Sequence, residues 1–212
     1  MDRRVIIATE NLGKVNEIKR MLADEFDRFY SLKDFKERVE IIEDSQFYIE
    51  NALKKARKIG NRFGYNTIAD DSGLEVDALN GRPGVYSSRY GKDDNERIEK
   101  LLAELKEVPW EKRTARFVAY VIFYMPDKGS FYVFYGQLDG YIGFERKGAH
   151  GFGFDPVFYI PEYDRYLAEI ELDEKNKISH RGKAVLALKS FLNADFFKRP
   201  PMRHSFQKNK DL

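Results

Sequence analysis

Residues 5–22 read VIIATENLGKVNEIKRML, and this stretch decides the fold class. Val5 to Ala8 form a short apolar run suited to a buried strand, Thr9 to Gly13 supply a tight turn, and Val15, Ile18, Met21 and Leu22 recur at helical spacing. A strand that passes directly into a helix is the opening unit of an α/β fold. Working outward, VEIIEDSQ (39–46) predicts a short strand through Val39, Ile41 and Ile42. FYIENALKKARKIGNRFG (47–64) then predicts a helix ended by Gly60 or Gly64. NTIADDSGLEVDAL (66–79) reads as a strand that breaks at Asp70-Asp71-Ser72-Gly73, followed by the turn-rich loop NGRPGVYSSRYG (80–91) and a helix in NERIEKLLAEL (95–105).

From Arg113 onward the pattern changes. TARFVAYVIFYM (114–125) and SFYVFYGQLDGYI (130–142), joined by PDKG, predict a long antiparallel hairpin because Val, Ile, Phe and Tyr suit a pleated, half-buried surface. Six of the 15 glycines fall between positions 136 and 153, a run that ends in GAHGFGFDPVFYIP (148–161), which predicts a long functional loop returning into a short strand. KISHRGKAVLALKSFL (177–192) closes the fold with a helix starting near Ser179 or His180. The expected architecture is α/β, a mixed sheet with flanking helices.

Length and composition fit one globular unit. A chain of 212 residues, 42% hydrophobic and 34% charged with 17 Phe, 13 Tyr and one Trp, has material for a packed interior. A chain of this size buries roughly 70% of the surface its unfolded form exposes. With no Cys, disulfides, thiolate-bound zinc, iron–sulfur clusters and thiol chemistry are excluded, and three His leave little for a His-based metal site. The net charge of +2 is uneven. Lys198, Arg199, Arg203, Lys208 and Lys210 against Asp211 give +4 after residue 197, which leaves −2 for the rest. A broad cationic face for nucleic acid is therefore not expected, and residues 195–212 read as a basic tail on a single catalytic unit spanning 1–194. The run VIIA is too short for a signal peptide and Val118 to Met125 too short for a membrane span, so a cytoplasmic protein with no membrane partner is expected.

Four constellations can carry chemistry. Thr9, Asn11, Gly13 and Lys14 sit where a strand ends and a helix begins, a place whose free amides and positive dipole attract phosphate. The same residues also suit an Asn-capped helix with a solvated lysine, and the Walker A spacing is absent. Asp70, Asp71, Ser72 and Gly73 place carboxylates where α/β folds bind ligands, and hard oxygens suit Mg²⁺ held together with substrate phosphates. An Asp-rich turn is the plainer alternative. Glu43-Asp44 provides a second acidic segment. Phe152-Gly153-Phe154-Asp155-Pro156 offers rings to stack on a flat base and a carboxylate to accept from sugar or base, although Phe152 on its own reads as core. Lys175 with Ser179, His180 and Arg181 gathers a cap and several donors at a helix start, suited to an oxo group or a phosphate.

In this order, ATENLGKVNEI, IIED with IENALKKA, IADDSGLEVDALNGRPGVYSSRYG, GFGFDPVF and EKNKISHRGKA closely resemble the inosine triphosphate pyrophosphatase family, also called Ham1-like or XTP/dITP diphosphatases, from Val5 to Leu192. The resemblance implies an elongated two-lobed fold with a central substrate cleft and a homodimer. It also implies hydrolysis of ITP, dITP and XTP to monophosphate and pyrophosphate with Mg²⁺. It places Thr9, Glu10, Asn11, Leu12, Gly13 and Lys14 in a triphosphate-binding turn, and Glu43 and Asp71 on the metal, Asp71 also as general base. Lys55, Ser72, Phe152, Gly153, Phe154, Asp155, Lys175, His180 and Arg181 fall on substrate-binding positions. Phe154 stands where the family usually has Tyr, which keeps a stacking face and loses a hydroxyl.

The chemistry is consistent with those residue types. A triphosphate carries about four negative charges, so attack at its α phosphorus needs cations on both the approach and the leaving pyrophosphate. Hypoxanthine and xanthine present an acceptor at C6 where adenine presents a donor, so a site built of donors from Arg181, His180 or backbone amides would leave groups unpaired on ATP. Rival readings are a pyrophosphatase for pyrimidine or modified triphosphates, and an inactive nucleotide-binding module.

Overall fold

The computed structural model describes residues 3–194; the basic tail expected at 195–212 lies outside them. One seven-stranded sheet has the order β2-β1-β3-β4-β5-β6-β7. Its strands are β1 (Arg4–Ile7), β2 (Arg28–Ser31), β3 (Asn66–Val76), β4 (Thr114–Met125), β5 (Ser130–Ile142), β6 (Phe158–Ile160) and β7 (Arg165–Tyr166). β1 pairs in parallel with β2 and β3, and every later pair is antiparallel. The helices are α1 (Leu12–Met21), α2 (Tyr48–Phe63), α3 (Asp94–Glu104), α4 (Leu172–Ile178) and α5 (His180–Asn193). The expected mixed sheet with flanking helices is what the chain forms, and the long β4–β5 hairpin turns at Pro126–Lys128 as its turn residues demand.

Two core regions are strung along this one sheet. In the first, Ile68, Val121 and Phe123 face Ile18 and Leu22 of α1 and Val185 and Leu188 of α5, while Ala69, Ile122 and Tyr124 face Ala52, Ala56 and Ile59 of α2 on the other side. In the second, Leu74, Val76, Phe117, Leu138 and Phe158 pack with Ile98 and Leu101 of α3. Because β3 and β4 run through both, Asp70 to Gly73 fall at the seam between them. α5 reaches this seam only because position 136 is glycine: a Cβ there would collide with the carbonyl oxygen of His180, the first residue of α5.

The structure corrects several expectations. β3 does not break at Asp70-Asp71-Ser72-Gly73 but continues to Val76, held by an unbroken antiparallel register with β4, Asp71 opposite Tyr120 and Ser72 opposite Ala119. Partner strand pairing overrides the turn preference of Asp and Gly. Residues 39–46 form no strand; Val39 and Ile41 pack instead as side chains against the core beneath α2. NGRPGVYSSRYG contains a 3₁₀ segment, Gly84–Arg89. β2, β7 and α4 had no expectation attached: four residues, RFYS, are too few for a period, and LDEKNKI has almost no apolar face. α2 ends at Gly64, whose left-handed φ of 72° places its N–H on Gly60 O.

Candidate active site

Successive side chains of a strand point to opposite faces, so the unbroken run of β3 sends Asp70 and Asp71 apart. Asp70 faces α1 and α5. Its carboxylate meets Lys14 Nζ at 3.0 Å and Arg181 Nε at 3.1 Å, and Ser72 Oγ, two residues on and on the same face, receives Arg181 at 2.9 Å. Arg181 also donates to Glu17 at 2.5 Å, and Lys175 Nζ lies 2.8 Å from Glu17 and 2.6 Å from Asp155. Three cations, Lys14, Lys175 and Arg181, thus meet three carboxylates, Glu17, Asp70 and Asp155, in one buried network.

The network carries equal numbers of cations and carboxylates, but its groups do not respond alike: burial raises Asp155 despite the nearby Lys175. Burial opposes ionisation of Asp70, yet Lys14 and Arg181 hold it far below the usual carboxylate range. Burial likewise opposes Glu17, and Arg181 and Lys175 outweigh it to hold Glu17 down. Lys14 is pulled below the ordinary lysine range by burial, despite Asp70. His180, stacked on Phe117 with ring centroids 4.7 Å apart, is kept neutral by burial and by the neighbouring Arg181 and Lys175. Its Nδ1 is buried without a hydrogen-bond partner.

Asp71 faces α2. Asn51 Nδ2 donates to it at 3.1 Å, and the backbone N–H of Ser72 donates at 3.0 Å. Lys55, buried on α2, pairs with Glu43, which projects from the irregular 39–47 segment. That segment is fixed from both sides: Asn51 exchanges hydrogen bonds with the backbone of Ser45, and Arg89 donates to Glu43 O at 2.9 Å. Here Lys55 pairs with Glu43, while Lys55 and Lys14 act on Asp71 through charge alone. Burial pushes the Asp71 carboxyl up to about 6, against the pull of Lys55, Lys14 and Asn51 and with Glu43 adding to the rise. Among the described residues no group of three or more His, Asp or Glu is placed to hold a metal, so an ion here would be bound by two carboxylates and completed by other oxygens.

A pocket opens from the Asp70 side of this seam. Lys14, Ser72, Lys175, His180 and Arg181 line one end, and Leu74, Phe117, Phe152 and Phe154 supply apolar wall. The sequence-predicted turn is divided. Asn11 and Lys14 line the pocket, whereas Glu10 and Leu12 are exposed and, with Thr9 and Gly13, do not. Asn11 caps α1 by accepting from Lys14 N at 3.2 Å, as the capped-helix reading expects, but Lys14 is not solvated: its Nζ lies 3.0 Å from Asp70.

The two phenylalanines both line the pocket but stand differently. Phe154 is buried in the second core region with its ring edge-on to Tyr90, whereas Phe152 is half-buried and folds over Lys175 and Arg181 at 4.8 and 5.5 Å. Phe152 also covers Gly13, where a Cβ would lie 2.5 Å from its ring. One oxygen of Asp155 is already engaged within the protein: its Oδ2 accepts from Phe152 N at 2.9 Å and pairs with Lys175.

Several residues in the site had not been singled out: Glu17, Asn51, Ser87, Arg89, Asp94 and Arg97. Glu17 and Asn51 carry a signal that could have found them. Each is a polar residue in a helix's buried stripe, Glu17 beside Ile18 and Asn51 beside Ala52, and a buried polar group must be paired.

Fold and site together define a class: a mixed-sheet α/β protein with a pocket lined by an ion network and an aromatic loop on one face of β3 and a carboxylate pair on the other. The Ham1 family profile matches residues 5–191. A dITP/XTP pyrophosphatase of Halalkalibacterium halodurans is 44% identical over 191 residues, 89% of this chain and 98% of that one. One of Dictyoglomus thermophilum is 43% identical over 198 residues, 92% and 97% of the two chains. Among solved structures, a HAM1 protein from Coxiella burnetii superposes with a TM-score of 0.79 at 37% identity, covering 89% of this chain and 98% of its own. The Staphylococcus aureus Ham1 protein gives 0.78 at 37% identity, covering 89% and 97%. The chain belongs to the Ham1 family.

Proposed function

We propose that this chain is a nucleoside-triphosphate pyrophosphohydrolase that converts ITP, dITP and XTP to the monophosphate and pyrophosphate, clearing deaminated purine nucleotides. The observation that carries this reading is the seam itself, where a pocket with aromatic wall and a cluster of three cations adjoins the carboxylates Glu43 and Asp71. Relatives 43–44% identical over nearly their whole length bear the name dITP/XTP pyrophosphatase.

In this reading the base enters along Phe152 and Phe117, and the triphosphate runs past Lys14 toward Asp71. The cations reach the phosphates by loosening from Glu17, Asp70 and Asp155, so the empty pocket avoids an unpaired buried charge. His180, neutral and with an unpartnered nitrogen, is placed to discriminate the base by hydrogen bonding. Mg²⁺ fits the other face: Glu43 and Asp71 offer hard oxygens, Lys55 pairing with Glu43 rather than Asp71, and would hold the ion together with substrate phosphates. Such an ion neutralises phosphate charge and makes a bound water more acidic. With an ion held there, Asp71 would be the carboxylate to orient a water for attack and accept its proton.

The unit responsible is residues 1–194, with 195–212 as an appended tail, acting in the cytoplasm. No helix among the described residues is long and apolar enough to cross a membrane. A homodimer is proposed. Its support is the exposed row Phe131, Val133 and Tyr135 on β5, a strand whose ladder with β6 takes up only Tyr141 and Ile142. Light scattering on the purified protein tests that state. The activity is tested by pyrophosphate release with Mg²⁺ from ITP, XTP, dITP, ATP, GTP, dTTP and UTP, with ³¹P NMR of the products. Fast release of pyrophosphate from the 6-oxo purines other than GTP is expected; preference for pyrimidines would overturn the base assignment, and nucleoside diphosphate plus phosphate would overturn the cleavage site.

A further inference from the structure

The loop that carries Phe152 is fastened to a helix that the expected mechanism does not use. Residues 143–154 run largely exposed between β5 and the Asp155–Val157 turn, with Gly148, Gly151 and Gly153 all at positive φ, a backbone with little stiffness of its own. Lys147 N donates to Pro156 O and His150 N to Ala168 O, which ties the loop to its own neighbourhood. Two further attachments cross to the first turns of α3. Arg146 donates to Asn95 Oδ1 at 2.6 Å and to Asn95 O at 3.0 Å, and Gly153 N donates to Asp94 Oδ2 at 2.7 Å.

Asp94 is built for this task. Its other oxygen receives Arg97 NH1 at 2.6 Å, and Arg97 is itself anchored on Gly91 O at 3.2 Å, so the carboxylate that holds the Gly153 amide is fixed from behind. Asp94, Arg97, Gly153 and Phe152 all line the pocket. A charge-assisted hydrogen bond to the amide next to Phe152 sets where that ring stands, and the ring stands over Lys175 and Arg181.

We infer that Asp94, oriented by Arg97, is a positioning residue that fixes the Phe152-Gly153 segment and thereby sets affinity for the base end of the nucleotide without touching the reacting phosphates. This rests on the proposed nucleotide pyrophosphohydrolase function, which wild-type binding checks independently.

The test is calorimetric binding of inosine monophosphate, which probes the base end, and of inorganic tripolyphosphate, which probes the phosphate end, to wild type, Asp94→Ala and Asp94→Asn. The steady-state constants for ITP are measured on the same proteins. Asp94→Ala weakens inosine monophosphate by about tenfold and raises KM for ITP to match, as expected for losing one charge-assisted hydrogen bond. Tripolyphosphate affinity and kcat stay within about twofold of wild type. Asp94→Asn keeps an acceptor for the Gly153 amide and recovers most of the affinity. Equal weakening of both probes, a fall in kcat with KM unchanged, or unchanged inosine monophosphate binding in a variant that melts like wild type would each overturn the inference. Failure of wild type to bind inosine monophosphate at all would instead overturn the functional reading beneath it.

Discussion

Asp70 and Asp71 are neighbours in sequence and opposites in environment. Asp70 lies on the face of β3 where three cations and three carboxylates meet; Asp71 lies on the face where Lys55 pairs with Glu43 instead. One carboxyl is held far below its usual range and the other is pushed up to about 6. The pleat of a continuous strand creates this division, and had β3 ended at Asp70 the two could have crowded onto one turn. The ion network gives a preorganised pocket wall. The carboxylate pair leaves a site that a cation and a water can complete.

The division can be broken most sharply by Asp71→Asn, which should lower pyrophosphate release from ITP by about a thousandfold or more, the scale of a lost general base. A pyrophosphate-coupled assay reads this directly, and more than a tenth of wild-type activity would remove Asp71 from the chemistry. Asp70→Asn acts on stability instead. It leaves Lys14 and Arg181 buried with too little negative charge and should cost about 3–5 kcal/mol in urea unfolding.

Asp71→Asn should have the reverse effect on stability, and its pH dependence carries the sign. A carboxyl whose folded pKa lies above its unfolded value binds more protons when folded, so wild type loses stability as pH rises from about 4 to about 6. At pH 7 the Asn variant should therefore be more stable by about 1–3 kcal/mol, a gain that vanishes below pH about 4. Asp70 has the opposite linkage. Its folded pKa is depressed, so its contribution is present at neutral pH and is lost only on acidification below about 4. The smallest effect serves as the control: Arg62→Ala breaks an exposed pair with Glu37 and should leave the urea midpoint unchanged at any of these pH values.

Much of this was legible in the chain. The strand, turn and helix at Val5–Leu22, the hairpin at Thr114–Ile142, and the helix starting at His180 follow from period and turn residues alone. The family motifs brought Lys14, Ser72, Lys175, His180 and Arg181 into one list, and the fold brings them to one pocket end. What could not be read was pairing. Nothing local in DDSG announces that β4 will hold it extended, and nothing local in Asp155 or Arg181 shows which charges lie opposite. That Phe154 packs edge-on against Tyr90 in the core while also lining the pocket could not be read from the motif. Glu17 and Asn51 were visible in principle as polar breaks in buried stripes. Asp94 was not, because its partner is a backbone amide 59 residues away.

The most direct test of the divided pair is a ¹³C NMR titration of the aspartate side-chain carboxyls in the metal-free protein, with Asp70→Asn and Asp71→Asn spectra to assign the signals. One carboxyl should titrate near pH 6 and disappear in Asp71→Asn, while the Asp70 signal stays flat down to pH about 4. If both carboxyls titrated together near the ordinary aspartate value of about 3.9, the separation of the two faces would be contradicted.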